Sequence, residues 1–149
     1  MAGEVERVSH IGVCVSDMER SMRFYREALG FAVAHELRVD GEPSDTLLGL
    51  RGVELHAVYI ERDGFRLELL YFGSPSSPGS PPARRMNDLG FTHLSVQVAD
   101  VDATLARLEE QGATIDRSTR IVVQGVAVAA FVRDPDGLPI ELVRKSPSP

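Results

Sequence analysis

The chain has 149 residues, 43% hydrophobic and 26% charged, with 16 basic residues against 22 acidic ones for a net charge of −6. This composition describes one ordinary soluble domain, or two small modules sharing a core, able to bury roughly 70% of its unfolded surface without disulfides. The lone cysteine, Cys14, excludes an intrachain disulfide framework, the acidic balance without a basic stripe argues against nucleic acid, and no apolar run approaches the ~20 residues of a membrane span. Met1-Ala2-Gly3-Glu4 does not read as a signal peptide, so the expectation is a cytoplasmic protein with no membrane partner.

In chain order, the first element is the alternating segment Val8-Ser9-His10-Ile11-Gly12-Val13-Cys14-Val15, a half-buried strand. Asp17 follows as a helix N-cap. The helix it opens should run from about Met18 to Leu29, with Met18, Met22, Tyr25 and Leu29 on one face and Gly30 ending it. Two more strands are expected near Ala32–Val39 and Glu54–Glu61. Asp63-Gly64 then turns the chain into a last strand, Phe65-Arg66-Leu67-Glu68-Leu69-Leu70. Gly73–Pro82 is dense in Ser, Pro and Gly and reads as linker.

The pattern then repeats. Phe91-Thr92-His93-Leu94-Ser95-Val96-Gln97-Val98-Ala99-Asp100 lies over the first strand and its cap, with a histidine seven residues before an aspartate in both copies. Val101, Leu105 and Leu108 give the second helical face and Gly112 its stop. Strands are expected near Thr114–Arg117 and Val126–Arg133. A second Asp-Gly turn, Asp136-Gly137, leads into Leu138-Pro139-Ile140-Glu141-Leu142-Val143, where Pro139 suggests an edge strand or an irregular strand end. The expected organisation is α+β: a βαβββ module over residues 1–72, a linker over 73–90 and a second βαβββ module over 91–149. The two modules form one functional domain, and the tail from Ser146 reads as disordered.

Strand parity locates the polar residues. Ile11, Val13 and Val15 share one face and must pack on the amphipathic helix, so His10, Gly12 and Cys14 lie on the helix-free face. The same reasoning places His93, Glu68 and Glu141 on helix-free faces. Each module therefore offers one histidine and one glutamate, and imidazole with carboxylate suits a divalent first-row metal. Taken singly, each of the four would read as an ordinary strand residue; their recurrence at equivalent positions carries the metal reading. His56, His35, Cys14, Arg84 and Arg85 read more simply as structural or solvated residues, with Cys14 as a small buried thiol. Glu109 and Glu110 read as the wet face of the second helix.

The stretch His10-Ile11-Gly12-Val13, the run Ser21-Met22-Arg23-Phe24-Tyr25 ending in Leu29-Gly30-Phe31, and Asp134-Pro135-Asp136-Gly137-Leu138-Pro139-Ile140-Glu141-Leu142 resemble the vicinal oxygen chelate superfamily of glyoxalases, bleomycin resistance proteins and extradiol dioxygenases. The resemblance covers residues 7–144. It implies a curved mixed sheet around a metal site, with His10, Glu68, His93 and Glu141 as ligands of one divalent ion (Co, Ni, Zn, Mn or Fe). This ligand set is closest to glyoxalase I and methylmalonyl-CoA epimerase. The implied activity is a metal-dependent isomerase, epimerase or lyase that removes an α-proton from a small bidentate carbonyl substrate, with Glu141 or Glu68 as base, in a homodimer. An Fe(II)-dependent extradiol dioxygenase ranks second, because Glu68 would occupy a position those enzymes leave open. A metal-free binding or resistance protein ranks third.

Overall fold

The computed structural model describes residues 3–79 and 83–146, so parts of the expected linker and tail, Ser80–Pro82 and Pro147–Pro149, lie outside the described residues. The chain divides into two compact units, Met1–Pro78 and Gly79–Pro149, each a four-stranded mixed sheet with a helix on one face. The architecture is α+β, with the two βαβββ modules that the sequence repeat predicts.

In the first unit β1 (Ile11–Cys14) leads to α1 (Met18–Arg23), then β2 (Ala32–Asp40), a short α2 (Ser44–Leu48), β3 (Glu54–Arg62) and β4 (Phe65–Ser74). The sheet order is β1-β4-β3-β2, with β1 parallel to β4 and the other pairs antiparallel. The second unit repeats this with β5 (Leu94–Val98), α3 (Val101–Glu110), β6 (Thr114–Val123), β7 (Val126–Arg133) and β8 (Pro139–Arg144), in the order β5-β8-β7-β6. In each sheet the strand carrying Glu68 or Glu141 is central, flanked by the strand that directly follows His10 or His93 and by an antiparallel neighbour.

Both expected caps form. The Asp17 carboxylate accepts from the Arg20 amide and the Asp100 carboxylate from the Ala103 amide, each at 2.9 Å, satisfying N–H groups that a helix start leaves open. α3 buries Val101, Leu105 and Leu108 as its spacing requires. α1 departs from its expected face. From Phe24 to Ala28 the helix widens into a π-turn, with the Leu29 amide reaching back to the Phe24 carbonyl. The extra residue per turn carries Phe24, Tyr25, Ala28 and Leu29 all inward and leaves Met18 and Met22 only half-buried. Gly30, at φ 72°, closes the helix as expected.

Asp63-Gly64 forms the tight β3–β4 turn with both residues at positive φ. The second module's Asp-Gly does not repeat it. There the connection is the five-residue stretch 134–138, held by the buried Asp134 carboxylate, which accepts from the amides of Asp136 (2.9 Å) and Leu138 (2.8 Å). A tight turn of that kind appears instead at Gln124-Gly125, between β6 and β7. β8 is central rather than an edge, and Pro139 stands at its first residue, where a missing N–H is tolerated.

The core of each unit lies between sheet and helix: Val15, Val58, Ile60, Leu67 and Leu69 in one, Ala130, Val132, Ile140 and Leu142 in the other, all buried. A smaller apolar cluster of Val53, Leu55 and Ala57, with Leu37, Val39, Leu50, Leu70 and Phe72, lies beside the Glu68 position in the first unit. Among the described residues no helix is long and apolar enough to cross a membrane.

Candidate metal centre

Each half of the candidate site follows from strand register. In the parallel pair β1–β4, Gly12 stands beside Glu68, and in β5–β8, Ser95 stands beside Glu141. Residues two apart on a strand share a face, so His10 and His93, each immediately preceding its strand, fall on the same face as the glutamate. The side chains meet there. His10 Nε2 is 3.1 Å from Glu68 Oε2, and His93 Nε2 is 3.5 Å from Glu141 Oε2.

The surroundings of the two pairs are also duplicated. A hydroxyl on the residue before each histidine meets its other ring nitrogen: Ser9 Oγ lies 2.9 Å from His10 Nδ1, and Thr92 Oγ1 lies 2.8 Å from His93 Nδ1. An aromatic ring from the antiparallel neighbour stands edge-on to each imidazole, Tyr59 at 5.1 Å and 86°, Phe131 at 5.4 Å and 85°. These rings sit opposite Glu68 and Glu141 in the β3–β4 and β7–β8 registers. Ser95 Oγ donates to Glu141 Oε2 at 2.8 Å, and in the other module Tyr59 stands directly across from Glu68. Burial, with the Glu68 carboxylate beside it, pushes the Tyr59 phenol up to about 12, so it is a neutral donor at physiological pH. Thr119 fixes Phe131 by accepting from its amide at 2.8 Å.

The donor chemistry fits a cation. Two ligands at right angles on an ion with bonds of about 2.1 Å stand about 3.0 Å apart, close to the observed nitrogen–oxygen separations. A hydroxyl at Nδ1 fixes ring orientation and leaves Nε2 for a metal. The sequence-expected residues are brought together as two pairs, His10 with Glu68 and His93 with Glu141. Among the described residues there is no group of three or more His, Cys, Asp or Glu side chains placed to hold an ion. In the second unit Glu141 borders a cavity of about 380 Å³ whose walls include Phe131, Ala129, Asp116, Arg84 and Arg133.

The remaining candidates sort by face and partner. His56 pairs with Tyr71 in the register and so lies on the side opposite Glu68, where its Nε2 is 2.6 Å from Glu36 Oε1. His35 sits across from Tyr59, ring centroids 6.0 Å apart. Cys14 is exposed, not buried as expected: β1 is an edge strand, and the thiol lies on its helix-free face. Arg84 donates to the carbonyls of Asp88, Leu89 and Phe91, bracing its own loop, and Arg85 holds Asp88. Glu109 pairs with Arg117 on the outer face of α3.

Sequence reasoning passed over Ser9, Thr92, Tyr59 and Ser95. The hydroxyls at Ser9 and Thr92 were findable, since both copies place one directly before the histidine. Tyr59 and Ser95 need the cross-strand register, which periodicity does not contain.

The sequence profile of the Glyoxalase/Bleomycin resistance protein/Dioxygenase superfamily matches residues 7–142. A putative lactoylglutathione lyase from Brassica oleracea var. gemmifera is 30% identical over 144 residues, 96% of this chain. The chain spans about half the length of that plant protein, 46%. Among solved structures, the trypanothione-dependent glyoxalase I of Leishmania major superposes with a TM-score of 0.67 at 28% identity, covering 94% of this chain and 87% of the parasite protein. A glyoxalase family protein from Bacillus cereus reaches 0.80 at 21% identity over 97% of both chains, a likeness of fold. With duplicated modules, a profile match over nearly the whole chain and relatives of this kind, the chain belongs to the glyoxalase/bleomycin resistance protein/dioxygenase superfamily.

Proposed function

We propose that the protein is a metal-dependent enzyme of the glyoxalase type, an isomerase, epimerase or lyase that abstracts an α-proton from a small bidentate carbonyl substrate. In this reading His10, Glu68, His93 and Glu141 hold one divalent ion, with the two modules combining either within one chain or across a homodimer. The observation that carries it is the recurrence of the same imidazole–carboxylate pair in both modules, at 3.1 and 3.5 Å. Curated relatives named lactoylglutathione lyase support the class of reaction.

When bound, a divalent ion would supply Lewis-acid stabilisation of negative charge on a carbonyl oxygen. The chain's own residues do the rest. With an ion on Nε2, each imidazole would carry its proton on Nδ1, where the Ser9 or Thr92 hydroxyl lies within hydrogen-bond distance to accept it. Glu141, bordering the 380 Å³ cavity, or Glu68, singly or in alternation, receives the α-proton as general base. Phe131 and Tyr59 wall the two pairs with aromatic surface that limits water around the reacting carbon.

The test is metal analysis of the purified protein, followed by solvent proton exchange into methylglyoxal–thiol adducts and methylmalonyl-CoA. Stoichiometric metal and exchange into one of these substrates are expected. His93→Ala should lower metal content and abolish exchange while the far-ultraviolet dichroism stays unchanged. Full metal content in that variant contradicts the assignment.

A further inference from the structure

The two modules support their glutamates by different routes. Each carboxylate has two flanking register positions on its own face, one on the parallel neighbour and one on the antiparallel neighbour. For Glu68 these are Gly12 and Tyr59; for Glu141 they are Ser95 and Phe131. Glycine offers no side-chain donor where serine stands in the other copy, and phenylalanine offers none where tyrosine stands. Each carboxylate thus has one hydroxyl in its two flanking positions, and the two modules place it on opposite sides.

Packing alone does not account for Tyr59. Phe131 makes the same edge-on contact with its histidine, at 5.4 Å and 85° against 5.1 Å and 86°, without a hydroxyl. What the phenol adds is a hydroxyl donor on the residue directly across from Glu68, in the module where Gly12 can supply none. We infer that Tyr59 is a positioning residue: its hydroxyl fixes the carboxylate of Glu68 beside His10, as Ser95 fixes Glu141 beside His93. The inference rests on the metal-binding reading above and extends it to the groups that orient the ligands. Hydrogen bonds that orient a ligating carboxylate typically change metal affinity by roughly 10- to 100-fold.

The test uses the full-length protein with Co(II), read by chelator competition and by the visible absorption of the bound ion, neither of which depends on turnover. Tyr59→Phe keeps the ring and removes only the oxygen. It should raise the Co(II) dissociation constant by about 10-fold or more and alter the visible bands, with thermal unfolding near wild type. Adding Gly12→Ser to that variant moves the donor to the other flank. A Cβ at Gly12 would meet Leu70 Cδ1 at 3.3 Å, a tight contact that asks the end of that side chain to shift by a few tenths of an ångström. The double variant should recover most of the affinity. The mirror experiment, Ser95→Ala with and without Phe131→Tyr, should lose and regain affinity in the same way, and it keeps the test intact if Tyr59→Phe folds poorly. Tyr59→Phe and Ser95→Ala proteins that bind Co(II) like wild type, with unchanged spectra, overturn the inference and leave the metal reading standing. Wild-type protein that takes up no Co(II) overturns the metal reading, and this inference with it.

Discussion

Asp134 is buried, and its carboxylate is committed to two backbone amides that set where β8 begins, seven residues before Glu141 by number. Removing it strands those amides. Asp134→Ala should cost about 1–3 kcal/mol, read as a lower urea midpoint at constant slope. An exposed acid behaves differently. Arg120, hydrogen-bonded to Asp102 at 2.7 Å, holds that carboxyl below its ordinary 3.8. A depressed carboxyl stabilises the fold above its unfolded value and loses that contribution as pH falls through the folded value. The Tm difference between wild type and Asp102→Asn should therefore be small, present at neutral pH and vanishing in acid below about pH 4; a difference that grows on acidification would contradict the pairing. At this scale the histidines and glutamates were legible because parity fixes the face of a strand residue. Tyr59 and Ser95 were not, because parity names a face and not the neighbour across it.

The helices and most strands were legible from spacing, and the departures have local causes. β6 was expected to stop near Arg117 but continues to Val123, through register shifts between Asp116 and Val122 where Thr119 bonds the Asp116 carbonyl and the Phe131 amide. Polar Ser118, Thr119 and Arg120 interrupt the apolar alternation that would have revealed it. α2 leaves no periodic signature in the sequence because it has five residues and buries none; it is anchored by Asp45, which accepts from the amides of Gly52 and Val53, both at 2.8 Å. The helix-facing side of the central strands carries each module's stability. Leu69→Ala and Leu142→Ala, both at fully buried positions, should each cost roughly 2–5 kcal/mol in chemical denaturation. A cost below 1 kcal/mol would mean that these faces are not the core.

Duplication organises the whole chain: one βαβββ plan used twice, with one imidazole–carboxylate pair on the helix-free face of each sheet. In the proposed site neither pair suffices. Two donors would satisfy a divalent ion poorly, whereas four from both modules would leave two positions of a six-coordinate ion for a bidentate substrate. The most direct measurement is metal stoichiometry and affinity in wild type, His10→Ala and His93→Ala, by elemental analysis and competition titration. One ion per chain, lost to a similar extent when either histidine is removed, is the expected result. Two ions per chain, or an affinity that depends on one histidine and ignores the other, would contradict a centre shared by the two modules.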